Sequence, residues 1–212
     1  MIKLLVVDKH PIVRKGLELI FDVSQEIKFM GSVGDGESIF DFIQKTPVDV
    51  IIAEIDLPRL NGITALRRLK KEFPKTKVII YSEQSESVYA VSALKAGARG
   101  FVSKTADILT LKEAIVRVIH GDVYLSNELT KQLALGTKSN KTSPFYKKLS
   151  TREVEVLKLL SSGKRNKEIA EELNINEKTV STYRARLMKK LNVTNLIDLV
   201  NQAKQLELQD TI

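Results

Sequence analysis

VDVIIAE, residues 48–54, is an almost unbroken apolar run with no helical spacing, and KVIIYS (77–82) repeats the pattern. Runs this short and this uniformly apolar suit strands covered on both faces, as in a parallel sheet. Working outward, LLVVD (4–8), IKFMGSV (27–33) and GFVS (100–103) supply three more strand candidates. Helical patterns near 11–23, 36–45, 62–73, 86–97 and 107–119 follow each strand in turn. Pro11 suits the first turn of its helix, where no backbone donor is needed. Gly97 suits a helix end. Strands alternating with helices predict an α/β doubly wound parallel five-stranded (βα)5 domain over residues 1–120, with function at the carboxyl ends of the strands.

Residues 121–148 read as an extension (121–135) and a linker, GTKSNKTSPFYKK (136–148), rich in Gly, Ser, Thr, Lys and Pro. From Leu149 the strand patterns vanish. Ser150 and Glu153 form a capping-box signature ahead of EVEVLKLLSSG, which Gly163 closes. NKEIAEEL is a second helix, Asn174–Asn176 a turn, and EKTVSTYRARLMKKL (177–191) a third. NLIDLVNQAKQ, capped by Thr194 or Asn195, is the last. Residues 149–212 are therefore expected to form a small all-α domain of four helices. On the third helix Leu187 and Leu191 fall within about 20° of Val180. Ser181, Thr182, Ala185, Arg186 and Lys189 lie on the far side. One buried stripe opposite small polar and cationic side chains suits a DNA major groove, although a charged face alone is equally what solvent selects.

Charge separates the two parts. Residues 1–135 hold 19 basic and 17 acidic side chains, and residues 136–212 hold 15 and 9, so most of the net +8 sits in the smaller part. That asymmetry favours a nucleic-acid partner. The chain has no cysteine, which excludes disulfides and thiolate metal sites, and His10 and His120 form no ligand cluster. No apolar run approaches the roughly 18 residues of a membrane span. The opening MIKLLVVD is too short for a signal peptide. A cytoplasmic protein with no membrane partner, no metal and no cofactor is expected.

The pattern from Leu149 to Val193, with L-S-T-R-E, G-K-R-N-K-E-I-A and K-T-V-S-T-Y, resembles the LuxR-type helix-turn-helix of NarL/FixJ response regulators. The resemblance implies double-stranded DNA as partner, with Ser181, Thr182 and Ala185 at base edges. Lys178, Arg184, Arg186 and Lys189 would meet phosphates, giving affinity and salt dependence. It also implies homodimerisation, at least on DNA, through the last helix at Leu196, Leu199, Val200 and Ala203, for which core packing is the alternative. Small side chains stand where some relatives carry lysine, so base preference does not carry over.

The first 120 residues are similar to the receiver domain of two-component signalling, through VVDKHP, EIDLPRLNG, Ser82 and FVSK (101–104). A working receiver needs two adjacent acids for Mg²⁺, an aspartate that attacks phosphorus, and a hydroxyl and a lysine for the phosphoryl oxygens. Asp8, Ser82, Lys104 and the aromatic switch position Phe101 are in place. Lys9 replaces the second acid, and Glu54 stands where the acceptor aspartate belongs. Asp8 and Glu54 against Lys9 and Lys104 sum to zero, which argues against metal-dependent phosphorylation and against a partner kinase.

Two readings of this degenerate pocket follow. In one, Glu54 reaches Lys104 or Ser82 and imitates the phosphorylated state. In the other, Lys9–Glu54 is a structural ion pair in a dead pocket. Asp56 as a surrogate acceptor is disfavoured, because its place in the loop should contribute mostly backbone. The function expected is that of a sequence-specific transcription regulator with an atypical receiver. The alternative is an orphan adaptor that docks partner proteins through helix 86–97 and Phe101, with DNA binding accessory. An enzyme is not expected: there is no catalytic cysteine or histidine pair and no glycine-rich phosphate loop.

Overall fold

Leu4 to Val7 in the first strand and Val50 to Ala53 in the third are buried at every position, as strands covered on both faces must be. The computed structural model describes residues 1–134, 149–173 and 175–209, and the chain divides into two units, Met1–Ala134 and Leu135–Ile212. In the first unit β1 (Ile2–Val7), β2 (Ile27–Val33), β3 (Val50–Ala53), β4 (Lys77–Ser82) and β5 (Gly100–Ser103) alternate with α1 (Pro11–Asp22), α2 (Ser38–Lys45), α3 (Gly62–Glu72), α4 (Glu86–Ala96) and α5 (Ile108–Ile119). All pairings are parallel, in the order β2-β1-β3-β4-β5. The doubly wound fold is thus as expected, and the two apolar runs are indeed internal strands. On one face Leu17 and Phe21 of α1 and Leu111, Ala114, Ile115 and Val118 of α5 pack on Leu4, Val6, Val50, Ile52 and Ile79.

The order reverses at β1, so the crevice between the carboxyl ends of β1 and β3 is the topological switch point. Gly62 sets the α3 amino terminus against it: a Cβ there would lie 2.3 Å from the Glu54 carbonyl oxygen. Residues 121–134 return to the sheet. Phe101 N donates to Tyr124 O and Tyr124 N to Arg99 O, both at 2.9 Å, before α6 (Asn127–Ala134). The linker segment 136–148 and Asn174 lie outside the described residues.

The second unit contains α7 (Thr151–Ser161), α8 (Asn166–Glu172), α9 (Glu177–Leu191) and α10 (Leu196–Gln209). Ser150 and Glu153 form the anticipated capping box. Gly163, at φ +84°, adopts the left-handed conformation that ends α7. Asn176 caps α9 by accepting from Thr179 N (2.8 Å), and Asn195 accepts from Asp198 N (2.9 Å) at the start of α10. Val180, Leu187 and Leu191 are buried with Val156, Leu157, Ile169 and Ala170.

The last helix requires a correction. Leu199 and Ala203, expected at a dimer contact, are 0% and 2% exposed and belong to the unit's own core. Their spacing puts them on the stripe facing α7 and α9, and burial there leaves them nothing to offer a partner. Leu196 and Val200 are half-buried at its edge, while Ile197 is 73% exposed.

Glu153 locks this unit. Its carboxylate accepts from Ser150 N (2.6 Å), Ser150 Oγ (2.8 Å) and Lys190 Nζ (2.7 Å). Burial would raise its pKa, but the bonds from Lys190 and Ser150 outweigh burial and hold it below the ordinary glutamate value. A depressed acid stabilises the fold above its unfolded pKa and loses that contribution as pH falls through the folded one. Glu153→Gln is therefore expected to cost about 2 kcal/mol at neutral pH. In thermal melts, its deficit against the parent protein should shrink as pH drops below the glutamate range. A deficit constant with pH would show that the charge is not what matters.

Candidate functional site

Four of the five strands deliver a polar side chain at their carboxyl ends. Asp8 follows β1, Glu54 follows β3, Ser82 ends β4 and Lys104 follows β5. Asp8, Glu54 and Ser82 are all but inaccessible. Backbone bonds fix their positions, with Glu54 N donating to Val7 O and Lys104 N to Ser82 O, both at 2.9 Å. A buried carboxylate survives only if paired and hydrogen-bonded, and Glu54 is both. Oε1 accepts from the Ser82 hydroxyl and from Ile55 N (2.6 Å), while Oε2 pairs with Lys104 Nζ at 2.6 Å. The same ammonium meets Asp8 Oδ2 at 2.6 Å. Burial would lower the Lys104 pKa, but hydrogen bonds and charge from Asp8 and Glu54 outweigh it and raise the pKa above the ordinary lysine value.

Lys9 is not part of this cluster. Its ammonium pairs with Asp56 at the exposed rim, so the Lys9–Glu54 ion pair does not exist in this structure. The reason is geometric: Lys104 already occupies the space between the two buried acids, and the more exposed Lys9 pairs with Asp56 at the rim. The charge sum changes accordingly. Asp8 and Glu54 face Lys104 alone, and Lys9 is cancelled by Asp56. The free oxygen of Asp8 accepts instead from His10 N (2.8 Å) and lies 3.1 Å from its ring nitrogen. Asp56 also gives Glu54 Oε1 a backbone N–H at 3.3 Å. Phe101 is 1% exposed, so its ring cannot carry the docking surface assigned to it in the adaptor reading.

Some contributors left no trace in the sequence reading. Arg14 donates to Asp8 O (2.7 Å), which steadies the first acid. Arg59, at φ +60°, binds Asp35, whose carboxylate also accepts from Ser38 N (2.9 Å) and Ser38 Oγ (2.7 Å). This ties the loop after β3 to the start of α2. Asp35 and Arg59 are 24 residues apart, and no local pattern announces the contact. His10 was closer to legible, since an aspartate side chain often accepts the backbone N–H two residues on, as Asp8 does from His10 N.

On the second unit Ser181, Thr182, Ala185, Arg186, Lys178 and Lys189 are exposed along α9, and Arg184 is half-buried. Lys190 is also exposed but pairs with the buried Glu153. Among the described residues no three His, Asp or Glu side chains are arranged to hold a metal ion, and no helix is long and apolar enough to cross a membrane.

A parallel (βα)5 unit with an acid, a hydroxyl and a lysine gathered at its switch point, followed by a helix-turn-helix unit, defines a response regulator with a DNA-binding output domain. Residues 4–116 match the response regulator receiver domain family, and residues 147–203 match the bacterial regulatory proteins of the luxR family. The chain belongs to the NarL/FixJ family of response regulators. It is 34% identical to the Fimbriae Z protein of Salmonella typhimurium over 96% of this chain and 97% of that one. It is 31% identical to the response regulator UvrY of Escherichia coli, over 96% and 94%. Among solved structures, RcsB of Salmonella enterica serovar Typhimurium, bound to promoter P1flhDC with the phosphomimetic BeF3-, aligns with a TM-score of 0.74 at 26% identity, covering 94% of this chain and 96% of that one. A structure of two RcsB dimers bound to two parallel DNAs aligns at 0.60 and 26%, covering 96% and 98%.

Proposed function

We propose that this chain is a cytoplasmic, non-enzymatic, sequence-specific transcription regulator whose receiver works without magnesium-dependent aspartyl phosphorylation. The division of labour follows the chain: receiver over 1–120, extension and linker over 121–148, DNA-binding domain over 149–212. The observation that carries the reading is the division of the Glu54 carboxylate, one oxygen on Ser82 and the other on Lys104. A phosphoryl group on an acceptor aspartate would address the same hydroxyl and ammonium, so Glu54 supplies permanently what phosphorylation supplies on demand.

The donor set does not suit Mg²⁺. Both buried acids are closed on Lys104, the second oxygen of Asp8 is taken by His10, and the position of the second acid is Lys9. Mg²⁺ is usually held through one or two carboxylates whose oxygens are free to face it. The DNA-binding role is supported by the basic, exposed face of α9 and by the DNA-bound RcsB relatives. Those relatives also support a homodimer on DNA. In this chain its contact on α10 would centre on Ile197, flanked by Leu196 and Val200.

The test is to incubate the protein with a small acyl phosphate and Mg²⁺, then measure intact mass and DNA affinity. No stable mass gain and unchanged affinity are expected. A gain of one phosphate accompanied by tighter binding would overturn the proposal.

A further inference from the structure

Two hydroxyls on the outer face of α9 have already used their protons. Ser181 Oγ donates to the Glu177 carbonyl at 3.0 Å, and Thr182 Oγ1 donates to the Lys178 carbonyl at 2.9 Å. The Ser181 oxygen also accepts from Asn166 Nδ2 (3.1 Å), at the first position of α8. Ala185, one turn beyond Ser181, contributes a methyl group. What these exposed residues offer a ligand is therefore oxygen lone pairs and the methyl groups of Thr182 and Ala185. They offer no hydrogen-bond donor.

In the major groove the amino donors are adenine N6 and cytosine N4, and the methyl group is that of thymine C5. Only an A·T pair presents an amino donor and a methyl group together. We infer that the base pair lying under Ser181, Thr182 and Ala185 is A·T, and that Asn166 is the positioning residue that holds Ser181 as an acceptor. The inference rests on α9 being the groove-facing helix. Without the Asn166 amide, the Ser181 hydroxyl loses one of the two bonds that orient it. It can then turn its proton outward to guanine O6 or N7, so discrimination at that pair falls. Contacts from Lys178, Arg186 and Lys189 are on other side chains and stay as they are.

Selecting sites from random duplexes with the full-length protein tests this, using the parent, Asn166→Ala and Asn166→Leu. The parent should enrich A·T at one position in each half-site. Both variants should weaken that preference about fivefold, the worth of one net hydrogen bond. Preference at other positions and the melting temperature should not change, and since neither variant adds charge, neither should the salt slope. A general folding defect would lower all positions together, so a loss confined to one position is the signature of positioning. G·C at every selected position, or a loss in the variants that is uniform or absent, overturns the assignment of Asn166 while leaving α9 as the reading helix. Binding with no sequence selection, or no binding, overturns the reading of α9 and this inference with it.

Discussion

Glu54→Gln weakens binding of the full-length protein to a site with two half-sites by about tenfold or more, within the usual range of coupling between sites, while the receiver stays folded. Glutamine keeps the volume and one oxygen for Ser82 or Ile55 N, so the structural cost is about 1 kcal/mol. What it removes is the charge that faces Lys104 at 2.6 Å. If the carboxylate acts as a built-in substitute for a phosphoryl group, that charge holds the dimer-competent state, and dimerisation should weaken with DNA affinity. Glu54→Ala is the harsher variant, because it leaves the Ser82 hydroxyl and Ile55 N without their buried acceptor. Its expected cost is about 2–4 kcal/mol. Unchanged affinity and dimerisation in a folded Glu54→Gln protein would mean that the pocket is only structural.

The sequence exposed the fold well because each signal it relies on is local. Continuous Val and Ile at 50–52 and 78–80 marked internal strands, Pro11 and Ser150 marked helix starts, and Gly97 and Gly163 marked ends. Asp8, Glu54, Ser82 and Lys104 were recognisable through the resemblance to a receiver domain, and parallel topology brings them together because each sits at a strand end. The errors concern choices among partners. Lys9 could reach either Glu54 or Asp56, and only the position of Lys104 decides between them. Leu199 and Ala203 carry the same apolar signal whether they face their own core or a second copy, and only the packing of α7 and α9 shows that the core claims them. The Asp35–Arg59 contact and the Asn166–Ser181 bond span 24 and 15 residues between side chains that are ordinary in their own neighbourhoods.

Lys104→Met produces the largest change in stability. The ammonium lies between two buried carboxylates, Asp8 at 2% and Glu54 at 1% exposure. Removing it leaves like charges facing each other without water, at an expected cost of about 3–5 kcal/mol at neutral pH. The gap should close at both ends of the pH scale. With rising pH the parent is the one that loses: the raised Lys104 pKa gives stability that is fully present below the ordinary lysine value and disappears as pH rises through the folded value. With falling pH the variant gains, because an unpaired buried acid binds its proton more tightly folded than unfolded. Melting curves of both proteins from acid to alkaline pH read this directly, and a gap that is flat across that range would refute it. Adding Glu54→Gln to Lys104→Met should recover part of the loss, since one neutralised acid relieves the repulsion, and a coupling above about 1 kcal/mol is expected for groups in direct contact. Strict additivity would place Lys104 and Glu54 in independent roles, and the division of the Glu54 carboxylate between Ser82 and Lys104 would then have no bearing on how the receiver is held.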